Sequence, residues 1–243
     1  MDSEIYKSLF SGDRKVFSLL IDPEKHAGDE LKRTVDSASR VSVDLILVGG
    51  SLISLPIDET IVAIKSITDI PVVLFPGNLL QLSSRADGIL LLSLLSGRNP
   101  EYLIGNHVLA SQYLKKSGLE IIPTGYILVD GHYLSSVEYI SNTRPIPSEK
   151  ADIVVATALA GEQLGLKLIY LEAGSGANDQ VKKEIVMQVK DNISIPLIVG
   201  GGIRTPEDIR KLYRAGANGV VVGSAVEENY HILPSLAAVK NEF

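Results

Sequence analysis

The chain has 243 residues, no cysteine, and 23 Lys plus Arg against 29 Asp plus Glu, a formal charge of −6. That excludes disulfides, thiolate catalysis and cysteine-based zinc sites, and it argues against broad non-specific binding of nucleic acid or of an anionic membrane surface. The start, MDSEIYKSLFSGDRK, lacks the basic and apolar regions of a secretory signal, and no uncharged apolar run reaches the roughly 18 residues of a membrane span, so the expected location is the cytoplasm.

Eight short apolar runs follow one another: VFSLLID (16–22), VDLILVGG (43–50), IPVVLFPG (70–77), DGILLLSLL (87–95), LEIIPTGYILV (119–129), LKLIYLEAG (166–174), IPLIVGGG (195–202) and NGVVVGSA (218–225). Each is rich in Val, Ile and Leu without polar alternation, the pattern of strands buried on both faces and hence of a parallel sheet. Amphipathic segments of helical length lie between most of them, at 29–42, 54–67, 99–118, 148–165, 178–192 and 205–217. In the last, Thr205 precedes Pro206 and Asp208, the signature of a capped helix start. The alternation predicts one (β/α)8 barrel, a TIM barrel, as a single domain over 1–243, with an open doubly wound sheet as the alternative. Only GNLLQLSSRA (77–86) separates strands three and four. That is too short for a helix and two loops, so the expectation is a missing or shortened helix there and an exposed apolar groove.

Active sites of such barrels lie at the C-terminal ends of the strands, with phosphate often held after strands seven and eight. Those ends read VGGGIR and VVVGSA. Glycine lets backbone N–H groups meet an anion without a Cβ in the way, and each following helix aims its positive end inward. Gly201, Gly202, Gly223 and Ser224 thus form a candidate phosphate cradle that needs no basic side chain; tight turns are the plainer use of the same glycines. Strand six ends YLEAGSGA, where Gly174 and Gly176 leave amides open and Ser175 offers a hydroxyl. Tyr170 and Glu172, two apart, face the same side. A carboxylate beside a phosphate is repelled unless something uses it, and a polyol hydroxyl would, as donor to Glu172 and as the group to be deprotonated; a Lys or Arg partner is the alternative. Across the mouth, Asp22 of DPEK and Ser51 of VGGS supply oxygens that suit Mg²⁺, and Lys25 adds a cation, although Asp22 is also placed to cap a helix before Pro23. His26, His107, His132 and His231 show no ligand spacing and read as surface or structural residues.

DPEK, VGGS, GRNPEYLIG, IPTGYILV, YLEAGSGA, VGGGIR and VVVGSAVE together resemble the geranylgeranylglyceryl phosphate synthase family, whose heptaprenylglyceryl phosphate synthase relatives share the pattern. The resemblance covers essentially the whole chain. It implies a barrel lacking one helix and a prenyltransferase that joins sn-glycerol 1-phosphate to a polyprenyl diphosphate such as geranylgeranyl diphosphate, forming an ether lipid precursor. It further implies that Tyr170, Leu171, Glu172, Ala173, Gly174, Ser175, Gly176, Gly201, Gly202, Gly223 and Ser224 bind the glycerol phosphate. Asp22 and Ser51 would hold the Mg²⁺ that carries the diphosphate. On this reading Glu172, Asp22 and Tyr126 form the catalytic set, with Glu172 taking the proton of the attacking hydroxyl. The prenyl tail would lie in the side groove beside LLSLLSGRNPEYLIG, where Tyr102 is a candidate limit on its length. A homo-oligomer, dimer or hexamer, and a transient peripheral membrane contact are also expected.

Overall fold

The computed structural model describes residues 4–10, 12–41 and 43–243; Ser42, the last residue of the helix expected at 29–42, lies outside them. All eight apolar runs are strands: β1 (Val16–Ile21), β2 (Leu45–Val48), β3 (Val72–Leu74), β4 (Gly88–Leu94), β5 (Glu120–Leu128), β6 (Leu168–Glu172), β7 (Leu197–Gly200) and β8 (Gly219–Val222). Neighbours in sequence pair in parallel, and β8 pairs with β1, so the sheet closes into a barrel. Period-two alternation then makes two cores. Leu47, Val73, Leu90, Tyr126, Tyr170 and Ile198 fill the inside of the barrel, whereas Phe17, Leu19, Ile46 and Leu171 face the helix layer outside.

The helices are α1 (Glu4–Phe10), α2 (Gly28–Arg40), α3 (Ile57–Lys65), α4 (Asn106–Ser117), α5 (Ser136–Ser141), α6 (Ala151–Gln163), α7 (Lys183–Asn192), α8 (Pro206–Arg214), α9 (Ser224–Glu228) and α10 (Leu233–Ala237). Among the described residues none is long and apolar enough to cross a membrane. α8 opens with the expected capping box between Thr205 and Asp208. Two elements differ most from expectation. The segment at 99–118 begins with one wide π turn, Glu101–Gly105, before α4. α7 starts at Lys183, not at 178; Asn178 lies in the exposed loop before it, its Nδ2 donating to the His132 carbonyl at 2.9 Å.

The third crossover holds a single 3-10 turn, Leu79–Gln81, capped by Asn78, whose side chain accepts from the Leu80 N–H at 2.9 Å. Among the described residues no α-helix lies between β3 and β4. Leu79, Leu82 and Leu91 are only partly buried there, and they line a cavity that continues into the barrel mouth.

Candidate active site

The floor of the mouth is aromatic. Phe75, Tyr126 and Tyr170 project inward from the ends of β3, β5 and β6, with ring centroids 5.2 Å apart for Phe75–Tyr170, 5.4 Å for Tyr126–Tyr170 and 6.0 Å for Phe75–Tyr126. One layer higher, Glu172 is 6 % exposed and forms no ion pair among the described residues, so it lacks the Lys or Arg partner of the alternative reading. Its Oε1 accepts the Gly174 N–H at 2.7 Å. Burial pushes its carboxyl up to about 7, against the opposing pull of the Gly174 N–H and the nearby Tyr170 hydroxyl. That hydroxyl lies beside the carboxylate but completes no hydrogen bond of normal geometry. The Tyr126 and Tyr170 hydroxyls are themselves pushed well up, first by burial and then by the charge of Glu172.

The triple glycine serves the protein's own packing before it serves a ligand. A Cβ on Gly200 would stand 2.1 Å from the Tyr170 hydroxyl, one on Gly201 2.4 Å from Glu172 Oε1, and one on Gly202 2.6 Å from the Asp179 carbonyl oxygen. Gly201 and Gly202 also have φ of +81° and +68°, a region other residues rarely adopt. The loop therefore lies flat on β6 and its loop. Among the described residues, the N–H groups of Gly201, Gly202, Gly223 and Ser224 donate to no protein acceptor, and the Ser175 and Ser224 hydroxyls converge at 3.2 Å. A group with several acceptor oxygens suits such a pocket. Leu171, Ala173 and Gly174 stand apart from it. The first two turn their side chains into the outer core, because odd and even positions of a strand face opposite ways, and Gly174 commits its N–H to Glu172.

Across the mouth, Asp22 is not a helix cap, since α2 begins at Gly28 with Ala27 at its cap position. Instead Asp22 Oδ1 accepts the Glu24 N–H at 3.0 Å and tightens the DPEK turn. The carboxylate faces Gly50, where a Cβ would come within 3.1 Å of Oδ2, and Ser51 follows directly. Lys25 Nζ sits 2.9 Å from Glu227 Oε2 on α9 and 3.9 Å from Asp22 Oδ2, bridging the first and last units of the barrel. Asp22, Ser51, Tyr126, Tyr170, Glu172, Ser175, Gly176, Gly201, Gly202, Gly223 and Ser224 all line one cavity of about 390 Å³. Its polar end lies among these residues; its apolar arm runs along Leu79, Leu82, Leu91, Leu92, Tyr102 and Ile140, on the side without a helix.

Several walls were not singled out from sequence. Phe75 follows from the alternation of β3. Arg204, inside the GGGIR motif, lines the cavity while its Nη2 donates to the Ala177 carbonyl at 3.3 Å. His107 is also a wall residue, 3.2 Å from the Ser93 hydroxyl through Nε2, with a pKa lowered by burial. His26 is buried, and neither of its ring nitrogens has a hydrogen-bond partner among the described residues; His132 pairs with Asp179 at 2.9 Å.

Fold and site together define a (β/α)8 enzyme barrel whose mouth joins an amide-lined pocket to an apolar arm. The sequence matches the PcrB family over residues 12–240, and the chain belongs to that family, the one that includes the geranylgeranylglyceryl phosphate synthases. It is 48% identical to the geranylgeranylglyceryl phosphate synthase of Spirosoma linguale over 231 residues, 95% of this chain and 93% of the relative. It is 40% identical to that of Korarchaeum cryptofilum, over 94% of each. Its structure superposes with a TM-score of 0.91 on the crystal structure of (S)-3-O-geranylgeranylglyceryl phosphate synthase from Thermoplasma acidophilum in complex with sn-glycerol-1-phosphate, at 36% identity over 99% of this chain and 98% of the other. The chain is thus an enzyme of the prenyltransferase class.

Proposed function

We propose that this chain transfers a geranylgeranyl group from its diphosphate to sn-glycerol 1-phosphate, with Mg²⁺, releasing diphosphate. The observation that carries the reading is Glu172: a buried carboxylate with no cation partner among the described residues and a pKa pushed to about 7, standing where the amide-lined pocket meets the aromatic floor and the apolar arm. The relative from Thermoplasma acidophilum, in complex with sn-glycerol-1-phosphate, supports the first substrate.

The glycerol phosphate rests its phosphate on the free N–H groups of Gly201, Gly202, Gly223 and Ser224 and on the Ser175 and Ser224 hydroxyls. Its 3-hydroxyl then points at Glu172. A carbon–oxygen bond forms between that hydroxyl oxygen and C1 of the prenyl chain while the C1–diphosphate bond breaks; the hydroxyl proton goes to Glu172, and the electron pair leaves with the diphosphate. Asp22 and Ser51, a carboxylate and a hydroxyl facing open cavity, make the small oxygen set that Mg²⁺ uses when phosphate oxygens and water complete its shell. Bound there, Mg²⁺ supplies Lewis-acid stabilisation of the departing diphosphate. Tyr126 and Tyr170 give the developing allylic cation an aromatic face. The apolar arm receives the tail at about 0.8 kcal/mol per buried CH₂. Tyr102, on that arm, is the residue proposed to set tail length.

The test is incubation with labelled glycerol 1-phosphate, Mg²⁺ and prenyl diphosphates of graded length. Organic-soluble product peaking at the 20-carbon donor is expected; no such product with any donor overturns the reading, and a peak at 35 carbons reassigns the tail. The expected homo-oligomer belongs to the same proposal. Apolar side chains exposed on α4 and α5, among them Val108, Leu109 and Tyr139, support it, and light scattering on the purified protein tests it.

A further inference from the structure

Gln81 ends the 3-10 turn that replaces the third crossover helix. Its side chain is 1 % exposed, and an amide that deep is tolerated only when its polar atoms are satisfied. Oε1 accepts the Gly50 N–H at 3.3 Å and the Gly77 N–H at 3.1 Å, and Nε2 donates to the Gly50 carbonyl at 2.7 Å. One side chain therefore ties together the loops that leave β2 and β3.

The tied backbone is the one that bears on Asp22 and Ser51. Gly50 lies directly against the Asp22 carboxylate and precedes Ser51. Gly77 presses on the same peptide from the other side: a Cβ there would come within 2.4 Å of the Gly50 carbonyl oxygen and 3.0 Å of Ser51 Cα. A full crossover helix would carry residue 81 away from the sheet; the collapse of the crossover to one turn lets it fold back beneath the ends of two strands. We infer that Gln81 is a positioning residue, which sets the Gly50–Ser51 peptide against Asp22 and so fixes the geometry of the divalent-cation site. The inference rests on the reading of Asp22 and Ser51 as the Mg²⁺ holders. Mg²⁺ requires near-ideal octahedral ligands, and outer partners that orient ligands are worth about 10- to 100-fold in metal affinity.

The experiment is calorimetric titration of Mg²⁺ into the full chain with inorganic pyrophosphate present, beside a separate titration of glycerol 1-phosphate. Gln81→Met keeps the volume and removes the three hydrogen bonds. It should weaken Mg²⁺ about 10-fold or more and leave glycerol 1-phosphate within about twofold. Gln81→Asn keeps the chemistry but cannot span both loops; it is the milder variant, readable if Gln81→Met does not fold, and should weaken Mg²⁺ several-fold. Asp44→Ala, at the opposite end of the barrel, is the control for general destabilisation and should leave both affinities unchanged. Equal losses for Mg²⁺ and glycerol 1-phosphate make Gln81 a merely structural residue and overturn the inference. Wild-type Mg²⁺ affinity in both Gln81 variants, with binding lost in Asp22→Asn, overturns it alone. Failure of the wild-type chain to bind Mg²⁺, or undiminished binding in Asp22→Asn, overturns the metal reading and the inference with it.

Discussion

The two ends of the barrel use the same kinds of group in opposite ways. At the N-terminal end, carboxylates meet the first N–H groups of neighbouring segments: Asp44 accepts from Phe17 at 2.9 Å, Asp87 from Val72 at 2.8 Å, and Glu120 from Ile5 and Tyr6 at 2.7 and 2.9 Å. Hydrogen bonds from Ser194 hold Glu162 there below the usual carboxylate range. At the C-terminal end, Glu172 is buried with a raised pKa, and among the described residues it has a single N–H donor, the Tyr170 hydroxyl has no partner, and four N–H groups have no protein acceptor. One end is satisfied by the protein itself; the other has donors and acceptors left over for something else. The lesson is that polar saturation, more than burial, separates the stabilising end of this barrel from the reactive one.

The largest expected effect breaks the reactive end. Glu172→Gln should lower kcat by about 10²- to 10⁴-fold, the usual contribution of a general base, while glycerol phosphate still binds. In the wild-type chain the base must be ionised, so kcat/KM should rise as pH passes through about 7 and level off above it, and pH–rate profiles measure this limb directly. Stability runs the other way. A carboxyl raised from 4.5 to about 7 in the folded state favours folding fully below its unfolded value and loses that contribution as pH climbs through the folded one, about 3 kcal/mol in all. Urea unfolding at pH 8.5 should therefore find Glu172→Gln more stable than wild type, with the difference vanishing near pH 4.5. Equal stability at both pH values would mean that the carboxylate is not strained by burial.

The complementary break is at the satisfied end. Asp44 is paired with Lys240 at 2.6 Å, with the two side chains only 6 % and 10 % exposed, and it also contacts Arg14. Asp44→Ala leaves a buried ammonium without its partner, a loss of about 3 kcal/mol or more. At about 2–4 °C per kcal/mol for a chain of this size, Tm should drop by roughly 6 °C or more. At 25 °C, kcat/KM should stay within twofold. A Tm change with an equal loss of activity would show that the two ends are coupled.

Much of this division was legible in the sequence, and the exceptions have a common cause. The strands were readable because both their faces are buried, so their Val, Ile and Leu runs are uninterrupted. The missing helix was readable because ten residues cannot hold a crossover. Glu172 and Tyr170 followed from period two. The six-residue α5, capped by Ser135, is too short to show helical periodicity. What the glycines of VGGGIR avoid was not legible either. Glu172 pairs in register with Gly200, and the closest clashes that forbid side chains are between residues 23 to 30 positions apart, Gly202 with Asp179 to Gly200 with Tyr170. Gln81 was invisible for the same reason, since the direction of its side chain depends on how one turn folds back under two strands.

The smallest expected effect sharpens the comparison most, because it concerns the same contact at both ends. Lys25 and Glu227 are 2.9 Å apart, close to the separation of Lys240 and Asp44, but Lys25 is 47 % exposed and Glu227 13 %. An ion pair open to water on one side adds little to folding, so Lys25→Met should leave Tm within about 1 °C. Its worth lies in the mouth, where Lys25 and Arg204 are the Lys and Arg walls facing Asp22, Glu24, Glu172 and Glu227. Without Lys25 those acids repel an incoming diphosphate, and a loss of about 1 kcal/mol is a roughly fivefold rise in KM for the prenyl diphosphate. Glu227→Gln in the same chain should recover part of it, since it removes one of the repelling charges. A fall in Tm with unchanged KM would instead place Lys25 among the groups that hold the barrel together, and the contrast between the two ends would then be one of exposure alone.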